Sequence, residues 1–446
     1  MRFLILLILS FLQVLIASLN GFSTFEDSAN YIFMARHIFK FLAIDTISGE
    51  ITKAGHFPPL YSFLIWLFNE HYLILHSLLL FISSLSIYLI LRNFTFSVIF
   101  IFQSSIIYNY NSIMSESLFM TEVCILLLSL LLFEKTNNFI YFLIMLLSLS
   151  LMPLTRHIGI VFIASVFLYF LIVRKYKISF IILLSFAPYI IFLSFANITR
   201  EISLHPTILQ DIKNFIKDFS IYLYYKPVFP QITGLLILFI FLYSLFKLYK
   251  LERRIFLAIS IIFSFYMLFI LITSTFLAAG VKNQFSRFLL VLFPLFYVSV
   301  ILSKDKILKF FIIFSLIFGF LTLKNLSNEP LRYSSRIWKN APSIKFIKSL
   351  KKNYKIYSNH PFAIYLLTNK HSYNLPVKIN YITFSENKSY YLELQNMVNE
   401  VRNGTSLVHF VKRYNYKELP SKDTLILLLK DYMLDFEDAI IFVNLK

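Results

Sequence analysis

The chain carries a single cysteine, Cys124, within an apolar run. One thiol excludes an intrachain disulfide and any metal site that rests on thiolates. Acidic residues are also scarce. Against 42 Lys and Arg stand 23 Asp and Glu, a net charge of +19. In a soluble protein that excess would point to nucleic acid, but no basic domain stands apart from the apolar runs. The positive charge falls mostly in short loops and in the tail, as positive-inside sorting and anionic headgroups require. No His/Glu spacing matches a metal motif, and no internal repeat marks a transporter built from inverted halves. The first apolar run ends in Ala17-Ser18-Leu19-Asn20. It lacks the small-x-small pattern of a cleavage site, so it is expected to remain as an anchor rather than leave as a signal peptide.

What is abundant is apolar surface. Hydrophobic residues make up 58% of the chain and aromatics 18%, with a mean hydropathy of +0.72; such values demand an apolar solvent. Runs at 2–19, 72–91, 94–110, 117–133, 139–154, 158–173, 178–197, 231–246, 255–277, 286–302 and 307–323 predict about eleven spans. With the amino terminus inside, Arg92, Lys135, Arg174 to Lys177, Lys247 to Arg254 and Lys304 to Lys309 all fall on the inner side. The apolar stretch 58–68 is only about eleven residues, too short to cross. It is expected to lie in the outer interface, started by Pro58-Pro59.

The fold class expected is a mostly α-helical polytopic membrane protein with interfacial helices and a small C-terminal extracytoplasmic α/β domain. The membrane part is drawn as 1–323, with a first outer loop at 20–71 and an amphipathic helix from Ser28 to Phe41. The soluble part is drawn as 324–446. In that tail, 354–358, 405–411 and 438–445 read as strands. Segments 361–368, 386–402 and 421–432 read as helices, the second ended by Asn403-Gly404. The localisation expected is the inner membrane, with the tail outside.

Candidate chemistry gathers at the outer ends of the runs. Glu26 and Asp27 follow the first span, where an ionisable group is costly without work or a partner; the competing account is solvation of a loop or capping of the next helix. Glu116 heads a later run, and capping is again the alternative. Arg156 and Arg287 fall on the outer side against the positive-inside trend. Each could hold a lipid phosphate through paired hydrogen bonds or snorkel to headgroups. His56, His157 and Lys53 could reach a metal or a phosphate, or simply sit at the interface.

The order of these residues resembles a known family. Asp27-Ser28-x-x-Tyr31-x-x-x-Ala35-Arg36 is followed by Pro58-Pro59-Leu60-Tyr61, Ser115-Glu116-Ser117-Leu118-Phe119, Leu154-Thr155-Arg156-x-x-Gly159 and Ser286-Arg287-Phe288-Leu289-Leu290. The pattern is similar to the GT-C glycosyltransferases, in the branch of protein O-mannosyltransferases and the lipid A aminoarabinose transferase. Tyr357-Ser358-Asn359-x-Pro361 and the 407–410 strand resemble the extracytoplasmic domain of bacterial relatives.

The resemblance implies a sugar moved, with inversion, from a polyprenyl-phosphate donor to an acceptor lipid, protein or glycan on the outer face. Asp27 or Glu26 would be the general base, the spacing to Tyr31 favouring Asp27, and Glu116 would orient acceptor or sugar. Arg156, Arg287 and His157 would face the donor phosphate, and Tyr31, Arg36, His56 and Tyr61 would contact substrate. Phe57 stands directly before the paired prolines, where relatives often carry a charged residue or His, which counts against a metal or phosphate role at that spot; no cofactor is assigned, and a divalent metal is kept as an open alternative. Asp27 and Arg156 are expected to converge on one extracytoplasmic hollow. A lipid-linked-sugar flippase, or a polysaccharide transporter or polymerase, is the competing function; apolar mid-span regions and a large outer tail weigh against the flippase.

Overall fold

The computed structural model describes residues 1–45, 48–53, 57–196, 213–214, 216–276, 285–379, 385–414 and 416–445. They form two compact units: Met1–Phe22 with Gly55–Glu329, and Ser23–Ala54 with Pro330–Lys446. The sequence divided the chain at 323/324. The structure divides it at 329/330 and groups 23–54, from the first outer loop, with the tail.

The first unit is helical. Helices Tyr72–Leu91, Glu116–Thr136, Tyr176–Phe195, Pro230–Leu251, Arg253–Thr273 and Lys306–Asn328 are long and apolar enough to cross a membrane. Arg2–Ala17, Phe139–Thr155, His157–Ile172 and Phe293–Leu302 are apolar but shorter. The chain is a multi-pass membrane protein.

Two expected spans are each interrupted by two non-helical residues. The run 94–110 breaks into Phe94–Ile101 and Ser104–Tyr110, and 286–302 breaks into Phe285–Leu290 and Phe293–Leu302. A break inside an apolar environment frees backbone groups that must find partners within the protein. At the first break, Gln103 Nε2 donates to the Ile312 carbonyl at 3.2 Å and Ser315 Oγ donates to Gln103 Oε1 at 2.6 Å. Ser104 and Thr322 share a hydroxyl bond at 2.7 Å. The partner helix comes this close because position 319 is glycine: a Cβ there would lie 1.8 Å from the Phe102 carbonyl oxygen. Small residues and polar bonds are what hold helices together in lipid. The stretch expected at the interface forms one helix, Leu60–Leu67, with Pro59 at its N-cap.

The second unit is a sandwich of helices on both faces of a sheet. A hairpin, β1 (Leu42–Ile44) and β2 (Ile51–Lys53), precedes strands β3 (Lys355–Ser358), β4 (Ser372–Asn374), β5 (Ser406–Val411), β6 (Met433–Asp435) and β7 (Ala439–Val443). The main sheet runs β4-β3-β5-β7-β6. β3 is parallel to β4 and β5, and β7 is antiparallel to β5 and β6.

Every residue of β5 and β7 is buried, because alternate side chains enter two separate cores. Val408, Phe410, Ile440 and Phe442 pack with helices Tyr390–Arg402 and Lys422–Leu429. Leu407, Ile441 and Val443 pack with Pro342–Ser349 and Pro361–Thr368. A strand covered on both faces reads as a continuous apolar run, which is why β5 was legible.

The hairpin closes on the β4 edge, where the Asn374 N–H donates to the Ser48 carbonyl at 3.1 Å. Gly49 permits this: its φ is +75°, and a Cβ would lie 2.8 Å from Tyr373 Cα.

One buried polar chain crosses the second core. Ser343 Oγ donates to Asp438 and therefore accepts from His409 Nε2 at 2.9 Å. His409 Nδ1 then accepts from Ser358 Oγ at 3.1 Å. Burial pulls His409 down from 6.5 to about 4, and nearby Asp438 pulls it the other way. The stability held by this neutral ring is full above pH 6.5. It drains as pH falls toward 4, because the unfolded chain takes up the proton first. Thermal unfolding of the full chain in detergent should lose about 2 kcal/mol between pH 7 and pH 5 from this residue. His409→Gln should lose correspondingly less over that interval; an unchanged pH slope would show that His409 does not titrate on unfolding.

Candidate functional site

The densest charged cluster in the first unit forms around Glu116, the first residue of helix Glu116–Thr136. Its side chain is 1% exposed, and it survives burial because two guanidinium groups meet it. Arg287 approaches Oε1 with Nε at 2.7 Å and with a terminal nitrogen at 2.7 Å. Arg156 approaches the same oxygen at 2.5 Å. Both arginines keep 14% of their side-chain surface exposed. The guanidinium carbon of Arg156 also lies 5.0 Å from the centre of the Phe288 ring.

Local backbone fixes Arg156. Helix Phe139–Thr155 contains Pro153 and stops at Thr155, leaving Arg156 extended at φ −150°, ψ 135°. A 3-10 turn, His157–Gly159, then doubles the chain back. Only glycine suits position 159, where a Cβ would sit 2.3 Å from the Met152 carbonyl carbon. Thr155 Oγ1 donates to Glu122 Oε1 at 2.7 Å, and Ser148 Oγ donates to the Glu122 carbonyl at 3.0 Å. Glu122 is thus a buried acid inside a spanning helix, which corrects the expectation of purely apolar mid-span regions. On the other side, the Ser286 N–H donates to Asp218 Oδ2 at 2.9 Å, beside Arg287.

Glu116, Arg156 and Arg287 together carry one negative and two positive charges. The surplus positive charge stands at a helix N-terminus, whose dipole adds to it. Such an arrangement favours an anionic oxygen, a phosphate above all.

No family model matches this sequence, and no curated protein does. Among solved structures, ArnT from Cupriavidus metallidurans bound to undecaprenyl phosphate matches with a TM-score of 0.50 at 10% identity, covering 98% of this chain and 97% of that one. The fold is ArnT-like. At that identity the likeness is one of fold alone.

In the second unit, helix Glu26–Arg36 begins at the acidic pair, two residues earlier than the sequence suggested. Glu26 is exposed and Asp27 half-buried. The Phe25 N–H donates to Ser28 Oγ at 2.9 Å, which closes the helix start. Tyr31, one turn after Asp27 on the same face, is buried. The Tyr333 hydroxyl donates to Glu26 Oε1 at 3.3 Å, a contact that no sequence motif announced.

The remaining expected residues have definite places. Arg36 donates to the Tyr365 hydroxyl at 3.3 Å and to Asn369, so it ties one helix end to another. Tyr61 is fully buried and hydrogen-bonds His76 Nε2 at 3.0 Å, a partner within the helical core. His157 Nδ1 pairs with the Tyr189 hydroxyl at 2.7 Å. His56 lies outside the described residues, and Lys53 is exposed at the end of β2. Among the described residues no three His, Cys, Asp or Glu side chains gather as a metal site. The structure thus brings Glu116, Arg156 and Arg287 together; Glu26, Asp27, Tyr31 and Arg36 belong to the other unit.

Glu116→Gln should cost about 3–5 kcal/mol, because it removes the buried carboxylate charge that both guanidinium groups meet. Gly159→Ala should also destabilise, by displacing the turn that carries Arg156. Thermal unfolding in detergent measures both, and a wild-type melting curve for Glu116→Gln would mean that the triad is not formed.

Proposed function

We propose that this chain is an inverting glycosyltransferase that moves a sugar from a polyprenyl-phosphate donor to an acceptor hydroxyl on the outer face of the membrane. The observation that carries this reading is the surplus positive charge of the Glu116–Arg156–Arg287 cluster, in a fold like that of a protein solved with undecaprenyl phosphate. The aminoarabinose-transferase side of the family is the nearer analogy.

The chemistry follows from charge. Asp27 takes the proton of the acceptor hydroxyl as that oxygen attacks the anomeric carbon. The bond from that carbon to the phosphate oxygen breaks, and the polyprenyl phosphate leaves with an added negative charge. Arg156 and Arg287 stabilise that charge where it develops. Glu116 holds the two guanidinium groups in register and lowers their mutual repulsion, a different task from the orientation of acceptor or sugar expected at first. Tyr31, on the Asp27 face of its helix, is the residue best placed by sequence spacing to contact substrate beside the base.

Asp27→Asn should abolish transfer from a polyprenyl-phosphate sugar while membrane insertion and lipid binding persist. Arg156→Ala should weaken donor use by about ten- to a thousandfold, with a smaller effect on acceptor KM. Wild-type turnover by Asp27→Asn would remove Asp27 as base. Lipid translocation across vesicles without any sugar transfer would replace the enzyme by a flippase.

A further inference from the structure

The acidic pair is stitched to the tail by a short run of contacts within the second unit. Thr24 bridges Arg332 in parallel fashion, and the Tyr333 N–H donates to the Thr24 carbonyl at 3.2 Å. The Leu331 N–H donates to Ser23 Oγ at 3.1 Å, and Thr24 and Ser334 share a hydroxyl bond at 2.7 Å. This places the Tyr333 hydroxyl 3.3 Å from Glu26 Oε1. The same hydroxyl lies 3.2 Å from His360 Nδ1, and His360 Nε2 lies 3.3 Å from the Tyr416 hydroxyl.

Hydrogen-bond valence gives this chain a direction. An ionised carboxylate only accepts, so Tyr333 donates its one proton to Glu26. The Tyr333 oxygen must then accept from His360, which puts the imidazole proton on Nδ1. Nε2 is left as an acceptor, and Tyr416 donates to it. A neutral ring is required, and its surroundings supply one. Burial pulls His360 down from 6.5 to about 3, with His409, Arg413 and Arg332 pulling the same way. Trp338 and Tyr414 cover the ring at 5.4 and 4.3 Å between centroids.

We propose that Tyr416, His360 and Tyr333 form a one-way donor chain that pins the Glu26 carboxylate, making Tyr333 and His360 positioning residues for the acidic pair. A glutamate side chain has many rotamers, and the Tyr333 bond favours the one in which Oε1 accepts. Of the two carboxylates, Glu26 is the anchored acceptor and Asp27 the base. A fixed anion at position 26 strengthens the pull of Asp27 on the acceptor's proton, so the chain acts on turnover rather than on donor binding. This role rests on the transferase reading, whereas the donor chain itself does not.

The test has two arms on the full-length protein in detergent. In the first, histidine is labelled with ¹⁵N and the His360 ring is assigned by loss of its signals in His360→Asn. The expected result is a neutral ring protonated on Nδ1 that does not titrate between pH 8 and pH 5, and whose Nδ1 signal shifts in Tyr333→Phe. A ring protonated on Nε2, or one titrating near pH 6.5, overturns the donor chain whether or not the protein transfers sugar. In the second arm, Tyr333→Phe should lower kcat about tenfold with the KM for the lipid donor unchanged. His360→Leu should do the same, and His360→Asn, whose amide nitrogen stands where Nδ1 stands, should recover most of the loss. Wild-type kcat in Tyr333→Phe, or equal kcat in folded His360→Asn and His360→Leu, overturns the positioning role. A wild-type chain that transfers no sugar overturns the transferase reading, and the ring signals still decide the donor chain.

Discussion

The geometry of the first unit depends on one buried oxygen. Oε1 of Glu116 receives Arg156 and Arg287, and those residues come from the end of one helix and the start of another. Each partner is untenable alone in an apolar interior. The backbone around each is accordingly irregular: a proline and a 3-10 turn beside Arg156, an interrupted helix after Arg287. Irregular backbone at such depth is tolerated only where protein or a polar cavity satisfies it. The ion cluster and the broken helices are therefore one constraint seen twice.

That constraint explains which parts of the molecule were legible in the sequence. Composition announced a membrane protein. In the tail β3, β5 and β7 were read, β5 and β7 because two-sided burial leaves continuous apolar strands, while the three-residue strands β4 and β6 and helix Pro342–Ser349 were missed. Helix Pro361–Thr368 begins at a proline and ends before Asn369 in the left-handed conformation, and both signals are local. The breaks at Phe102-Gln103 and Val291-Leu292 were not read, although each carries a local mark. The second precedes Pro294 in the first turn of helix Phe293–Leu302. The first opens the polar triplet Gln103-Ser104-Ser105, and partners far along the chain hold it.

The site divides along the same line. Arg156 and Arg287 stood out because they oppose the charge asymmetry of the loops, and that anomaly is visible in one dimension. Their common partner was visible only as a helix-heading acid whose bland role was capping. Glu122 went unnoticed because it sits two turns inside a long apolar helix. Its bond to Thr155 is a side-chain pairing between residues 33 apart. Tyr333 and His360 were hidden for a stronger reason: Tyr333 meets Glu26 across more than 300 residues of chain, and His360 reaches it only through Tyr333.

Several buried polar groups of the first unit are bound in ways that fix their neighbours. Glu122 holds Thr155, the residue before Arg156, and Arg156 meets Glu116, just under two turns earlier on the helix that carries Glu122. Two acids on one helix therefore bond consecutive residues, Thr155 and Arg156, one through a hydroxyl and one through a guanidinium. The Glu122 bond holds the backbone from which Arg156 projects, and the Glu116 ion pair holds its side chain. In the proposed transferase such prior placement would matter, because donors already in position need no reorganisation when charge develops.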